Sequence, residues 1–132
     1  MRRAPTIRAM PGARILIAED EGPVAAPLVA ALRERGHQVR WVRAVRDVRS
    51  QLPEFQPQLL LLDVSLDTDG LELLQALRFA PVCPPAGVLV LIEPGDTGAR
   101  DRAHQLGAAA VLAKEPSPTR VVQTVEDLLA WI

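Results

Sequence analysis

Leu59-Leu60-Leu61-Leu62-Asp63 is a row of four leucines that stops on a carboxylate. An apolar run this short, with no polar residue inside it, reads as a strand buried on both faces. The same figure recurs along the chain. Ile15-Leu16-Ile17-Ala18 halts at Glu19-Asp20-Glu21, Val88-Leu89-Val90-Leu91-Ile92 halts at Glu93-Pro94-Gly95, and Ala109-Ala110-Val111-Leu112-Ala113 halts at Lys114. Val39-Arg40-Trp41-Val42, entered through Gly36-His37-Gln38, supplies a fifth and weaker strand.

Between these runs the apolar spacing becomes helical. Val24, Leu28, Ala31 and Leu32 form a stripe that ends with Arg33, Arg35 and the stop residue Gly36. Val45, Val48 and Leu52 predict a second helix ended by Pro53, and Leu71, Leu74 and Leu77 a third that stops before Pro81. Ala99, Ala103 and Leu106 mark a weak fourth before Gly107. The last starts near Pro118, with Val121, Val125, Leu128, Leu129 and Ile132 on one side. Strands alternating with helices of this length require crossover connections, so the class is α/β, with a parallel sheet covered on both faces.

The 132 residues make one domain, and 48% hydrophobic content is enough for a core. No uncharged apolar run approaches the roughly 18 residues of a membrane span. The single Cys83 excludes an intramolecular disulfide and a thiolate-rich metal site, so a cytoplasmic location is expected. Residues 1–14 carry Arg2, Arg3, Arg8 and Arg14 and no acid, while the other 118 residues sum to −5. Pro5, Thr6, Arg8 and Pro11 interrupt the place where a secretory leader needs an apolar segment. Residues 1–13 are therefore expected to be a basic, flexible arm, and residues 14–132 the folded domain.

In open parallel sheets ligands sit beyond the carboxyl ends of the strands, where the strand order reverses. The residues found there are Glu19, Asp20, Asp63, Glu93 and Lys114. Clustered carboxylates repel one another, and a divalent cation is the usual remedy. An all-oxygen donor set suits Mg²⁺, whose shell is often completed by phosphate oxygens. A lysine beside it would act as a point charge on a phosphoryl oxygen. Of 15 basic residues 14 are arginine, and the single lysine is Lys114 at the mouth of the last strand.

Over residues 14–132 the chain resembles a bacterial two-component response-regulator receiver domain. The resemblance rests on Arg14-Ile-Leu-Ile-Ala-Glu19-Asp20-Glu21, Leu59-Leu-Leu-Leu-Asp63-Val-Ser65-Leu, Asp69-Gly70-Leu-Glu-Leu-Leu, and Gly107-Ala108 followed by Lys114. It implies a flavodoxin-like doubly wound sheet of five parallel strands in the order 2-1-3-4-5. It also implies that Asp63 is the phosphoacceptor, loaded from a sensor histidine kinase or a histidine phosphotransfer protein. Glu19, Asp20, Asp63 and the main-chain carbonyl of Ser65, whose side chain should hardly matter, would hold Mg²⁺. Lys114 would contact Asp63 before phosphorylation and a phosphoryl oxygen after it. Such a protein is no enzyme on a separate substrate, although it can catalyse its own phosphorylation and dephosphorylation.

The departures fall on the switch positions. The family's hydroxyl at the end of the fourth strand is replaced by Glu93 when one counts forward from Asp63, or by Ile92 when one counts back from Gly107. Ile92 would be inert there, and an ionised Glu93 would repel a phosphoryl dianion. The aromatic of the fifth strand is Val111, in a chain without tyrosine. Thr68 and Thr97 could offer a hydroxyl from a neighbouring loop, but read better as a turn residue and a helix cap. With the chain ending at Ile132, no DNA-binding domain is expected, and output would pass through a downstream protein target or a homodimer. The other reading is a phosphorylation-independent pseudo-receiver, an interaction or dimerisation module. A haloacid-dehalogenase-type phosphatase would need a second aspartate where Gly22 stands, and a cobalamin-binding domain a histidine where Ser65 stands.

Among the remaining residues, His37 and His104 read as solvated, Cys83 as a loop thiol, and the arginines between Arg33 and Arg49 as a solvated face. Trp131 lies off the last helical stripe and is either exposed or packed under the chain end.

Overall fold

The computed structural model describes residues 12–67 and 69–132, so most of the basic arm and Thr68 lie outside the described residues. Five parallel strands, β1 (Arg14–Ala18), β2 (Gln38–Val42), β3 (Leu59–Asp63), β4 (Val88–Ile92) and β5 (Ala110–Ala113), form one sheet in the order β2-β1-β3-β4-β5. The helices between them are α1 (Gly22–Glu34), α2 (Val45–Phe55), α3 (Gly70–Leu77), α4 (Thr97–Gln105) and α5 (Thr119–Leu129). The fold is the expected flavodoxin-like one. Its order reverses between β1 and β3, which is where a ligand crevice is built into such sheets.

Alternation along the strands sorts the core into two layers. Leu16, Ala18, Leu60, Leu62, Val88, Val90, Ile92 and Val111 face α2, α3 and α4. Ile15, Ile17, Leu59, Leu61, Leu89 and Leu91 face α1 and α5. Every side chain of β3 and β4 is buried, the terminal Asp63 of β3 included, as strands covered on both faces require.

Some helical stripes differ from the sequence reading. In α1 the buried residues are Ala25, Leu28, Val29 and Leu32, so Val24 and Ala31 lie at the edge of the stripe. Pro53 does not end α2, which continues to Phe55. Proline removes one N–H and one bond of the ladder, whereas ending there would expose Phe55, which extends the buried series Val45, Val48 and Leu52. Gln56 then closes the helix in the left-handed region at φ 51°. Ile132 lies past the end of α5 and is 56% exposed, beside Trp131 at 88%. Thr97 begins α4, but its cap is Asp96, whose side chain accepts a hydrogen bond from the Ala99 N–H.

His37 is buried. Its Nδ1 accepts from the Ala13 N–H at 3.0 Å, and its Nε2 meets a Glu126 carboxylate oxygen at 2.7 Å. It ties the entrance of β1 to α5, a partner 89 positions away that local spacing cannot reveal. No helix among the described residues is long and apolar enough to cross a membrane.

Candidate functional site

Strand alternation does not stop at the strand ends, and that decides the site. Continuing the series 15, 17 and 59, 61 gives Glu19 and Asp63, and continuing 89, 91 gives Glu93. On β5, Val111 faces α4, so Lys114 falls on the same side as the three acids. Parallel register then sets their spacing. Ala18 pairs with Leu62 and Ile92 with Ala113, so Glu19 comes level with Asp63, and Glu93 with Lys114. The ladder extends this far, because the Lys114 N–H donates to the Ile92 carbonyl at 2.9 Å.

The Lys114 ammonium is the hub. Nζ lies 3.0 Å from Asp63 Oδ2, 2.9 Å from Glu21 Oε2, 3.0 Å from Glu93 Oε2 and 3.6 Å from Glu19 Oε2. Lys114, Asp63 and Glu19 are buried, while the Glu21 and Glu93 side chains are 52% and 55% exposed. Burial works against the charge on Lys114, but hydrogen bonds to Glu21, Asp63 and Glu93 outweigh it and raise its pKa. On Asp63, burial favours the neutral acid. Hydrogen bonds from Ser65 above all, and from Lys114, reverse that and hold its pKa below the ordinary aspartate value.

Ser65 does more than the sequence reading allowed. Its N–H and its hydroxyl both donate to Asp63 Oδ1, at 2.9 and 2.8 Å. Gly70, the first residue of α3, packs directly on this turn. A Cβ there would stand 2.7 Å from Val64 Cα, 2.8 Å from the Val64 carbonyl oxygen and 2.9 Å from that of Asp63. Only glycine fits a backbone approach this close. Asp67, from the same loop, accepts a hydrogen bond from the Val45 N–H at the start of α2.

The acidic turn is clamped by residues that sequence spacing did not single out. Trp41, at the end of β2, donates its indole N–H to the Glu19 carbonyl at 2.7 Å, and Arg43 donates to the Asp20 carbonyl at 3.0 Å. The Arg43 guanidinium lies 4.4 Å over the Trp41 ring. Glu21 was visible only as the third acid of Glu19-Asp20-Glu21, and its partner Lys114 is 93 positions away.

Glu19, Asp20, Glu21 and Asp63 can each bring a carboxylate oxygen within 4.8 Å of the others, a donor set that fits a hard divalent cation. Glu19 carries the mark of such a site. Its Oε2 accepts from the Glu21 N–H, while Oε1 is buried without a hydrogen-bond partner among the described residues. Burial pushes its pKa up to about 8, with Asp63 adding to the rise, so a cation is what would let this carboxylate ionise.

Of the two candidate switch positions, Ile92 is fully buried against α4 and Glu93 reaches the site. Val111 lies in the same apolar layer as Ile92. The cup opens into a cleft of about 440 Å³ lined by Glu21, Glu93 and Lys114 and by the stiff residues Pro23, Pro94 and Pro116.

Comparison with known proteins agrees with this geometry. Residues 15–126 match the family model described as the response regulator receiver domain. The phosphate regulon transcriptional regulatory protein PhoB of Pseudomonas aeruginosa is 26% identical over 121 residues, which cover 91% of this chain and 53% of PhoB. The transcriptional regulatory protein GltR of the same organism is 31% identical over 119 residues, 89% of this chain and 49% of GltR. The chain thus spans about half the length of the curated relatives it matches. A crystal structure from Chloroflexus aurantiacus J-10-fl, described as a response regulator, superposes with a TM-score of 0.80 at 30% identity, covering 90% of this chain and 98% of that one. The chemotaxis response regulator CheY4 of Vibrio cholerae shares the fold, with a TM-score of 0.80 at 18% identity over 89% of this chain and 98% of its own.

Proposed function

The chain belongs to the response-regulator receiver domain family, and from that premise we propose that it is a phosphoacceptor of two-component signalling, loaded on Asp63 from a histidine kinase or a histidine phosphotransfer protein. The observation that carries this reading is the Asp63 carboxylate itself. It is sealed from solvent, kept ionised by two donors from Ser65 and one from Lys114, and placed beside an unsatisfied Glu19 oxygen.

Ser65 occupies Oδ1 twice, which leaves Oδ2, held by Lys114 alone, as the attacking oxygen. Attack in line on the phosphorus of a phosphohistidine forms the Asp63 O–P bond as the N–P bond breaks, and the imidazole leaves with a proton. Lys114 then passes its hydrogen bond from Oδ2 to a phosphoryl oxygen. Glu19, Asp20 and Asp63, with the Ser65 main-chain carbonyl, would hold Mg²⁺, and Glu21 joins that group by geometry. The ion would supply positive charge to the phosphoryl oxygens in transit. Catalysis stays within the chain's own loading and unloading, the setting is cytoplasmic, and the signal leaves by contact with a downstream protein target or a second copy.

Incubation with phosphoramidate and Mg²⁺ tests this by intact mass. Wild type should gain a phosphoryl group and Asp63→Asn should not. Wild type without an adduct, while Mg²⁺ also fails to bind, would overturn the reading in favour of the phosphorylation-independent pseudo-receiver. That second reading has one observation of its own, the crowding of Lys114 by four carboxylates.

A further inference from the structure

An ammonium has three N–H donors, and in this protein three carboxylate oxygens stand within 3.0 Å of Lys114 Nζ, from Glu21, Asp63 and Glu93. The fourth, from Glu19, is at 3.6 Å. Of these, the Glu21 and Asp63 contacts have hydrogen-bond alignment, and Glu93 stands at 3.0 Å as an ion pair. Resting on the phosphoacceptor reading, a phosphoryl oxygen arriving at Asp63 takes over the Lys114 contact of Oδ2 and must compete for the ammonium with the remaining carboxylates. Asp63 is no competitor, because it is the group being loaded and, anchored by Ser65, hands its Lys114 contact on. Glu21 shares a cluster with Glu19, Asp20 and Asp63 in which a cation can claim it, and its backbone is built into the start of α1. Glu93 lies outside that cluster. Among the described residues Lys114 is its one salt-bridge partner, its side chain is 55% exposed, and the residues that follow it, Pro94, Gly95 and Asp96, form an exposed turn.

We propose that Glu93 is a gate on Lys114: its carboxylate draws the ammonium that an incoming phosphoryl oxygen must engage, and Asp63 is loaded faster in the fraction of molecules in which Glu93 has swung into the cleft. The residue that stands where the family keeps a hydroxyl thus does more than repel the product. It competes beforehand with the product oxygens for the charge of the lysine. Loading from phosphoramidate forms the Asp63 O–P bond, breaks the P–N bond and releases ammonia, while the Glu93 contact is exchanged for a contact to the phosphoryl group. The gate therefore sets the rate of loading without touching the transferred atoms.

Two arms test it. In the first, intact mass follows phosphoryl uptake from phosphoramidate with Mg²⁺ in wild type, Glu93→Gln and Glu93→Thr. Both variants should load about three- to tenfold faster, the scale of an exposed ion pair plus the repulsion removed with it. Equal, nonzero rates in all three proteins overturn the gate and leave Asp63 as the acceptor; no adduct in any of them overturns both. The second arm needs no phosphodonor. Lys114 is the chain's single lysine, so ¹⁵Nζ-lysine labelling gives one ammonium resonance. In Glu93→Gln that resonance should shift and its hydrogens exchange with water faster than in wild type. An unchanged resonance and exchange rate would show that Glu93 does not hold Lys114 in solution, and the gate would fall whatever the first arm gave.

Discussion

Asp63 and Glu93 follow neighbouring strands onto the same face of the sheet, and the structure treats them in opposite ways. Asp63 has no exposed surface and accepts from a hydroxyl, an N–H and an ammonium. Around it the Trp41 and Arg43 donors fix the acidic turn, and Gly70 packs against the acceptor loop. Glu93 is more than half exposed and, among the described residues, pairs with Lys114 alone, while its neighbours Ile92 and Val111 are sunk in apolar packing against α4. The β1–β3 side of the edge is thus organised to hold charge, and the β4 side has neither a hydroxyl nor a mobile aromatic with which to answer it. On the proposed reading, one chain can keep an acceptor while the readout is remade, because the two depend on different strands.

Removing the hub should have the largest effect on this contrast. Lys114→Ala leaves Asp63 and Glu19 buried beside each other without a cation, and should lower the free energy of unfolding by about 3–5 kcal/mol in urea without divalent ions, with part restored by Mg²⁺. A loss below about 1 kcal/mol would mean that the cup is not held by charge.

Next in size is the dependence on pH. The Glu19 carboxyl, at about 8 in the fold against an ordinary value of 4.5, keeps its proton where the unfolded chain has already lost it. Its stabilising contribution is complete below the ordinary value and is lost as pH rises towards 8, by up to about 4 kcal/mol without a cation. Asp63 has the opposite sign, since its lowered pKa means stability lost as pH falls into the ordinary aspartate range. Urea midpoints at pH 5, 6.5 and 8 should therefore decline for wild type, flatten with Mg²⁺, and be flat without it in Glu19→Gln. The same slope in Glu19→Gln as in wild type would remove Glu19 as the cause.

Gly70→Ala sharpens the acceptor side. Its Cβ meets backbone atoms that cannot rotate away, so it should cost about 1–3 kcal/mol and slow loading of Asp63 together. Ile92→Thr sharpens the other side. It should cost about 1–2 kcal/mol for a buried hydroxyl and leave loading unchanged, because its side chain faces α4. Faster loading in Ile92→Thr would mean that Ile92, and not Glu93, faces the site.

The sequence shows clearly what is local. Apolar runs of four or five residues ending on a charge mark four of the five strands, and the acids and the lysine at their ends mark the carboxyl edge. Parity along a strand was also legible, and would have chosen Glu93 over Ile92 without counting from distant landmarks. What spacing could not show is the pairing of remote side chains: His37 with Glu126, Glu21 with Lys114, Trp41 with the Glu19 carbonyl. Each joins segments whose neighbourhood is set only when the sheet closes. Pro53 misled for a related reason, since burial of Phe55 outweighs one missing helical hydrogen bond.

The account rests on Asp63 as the group that takes the phosphoryl. Loading with phosphoramidate and Mg²⁺, reduction of the acyl phosphate with borohydride and peptide mapping address that directly. The account predicts a single reduced position, homoserine in place of Asp63. Reduction at Glu19, Asp20, Glu21 or Glu93 instead, or none in wild-type protein that binds Mg²⁺, would contradict it.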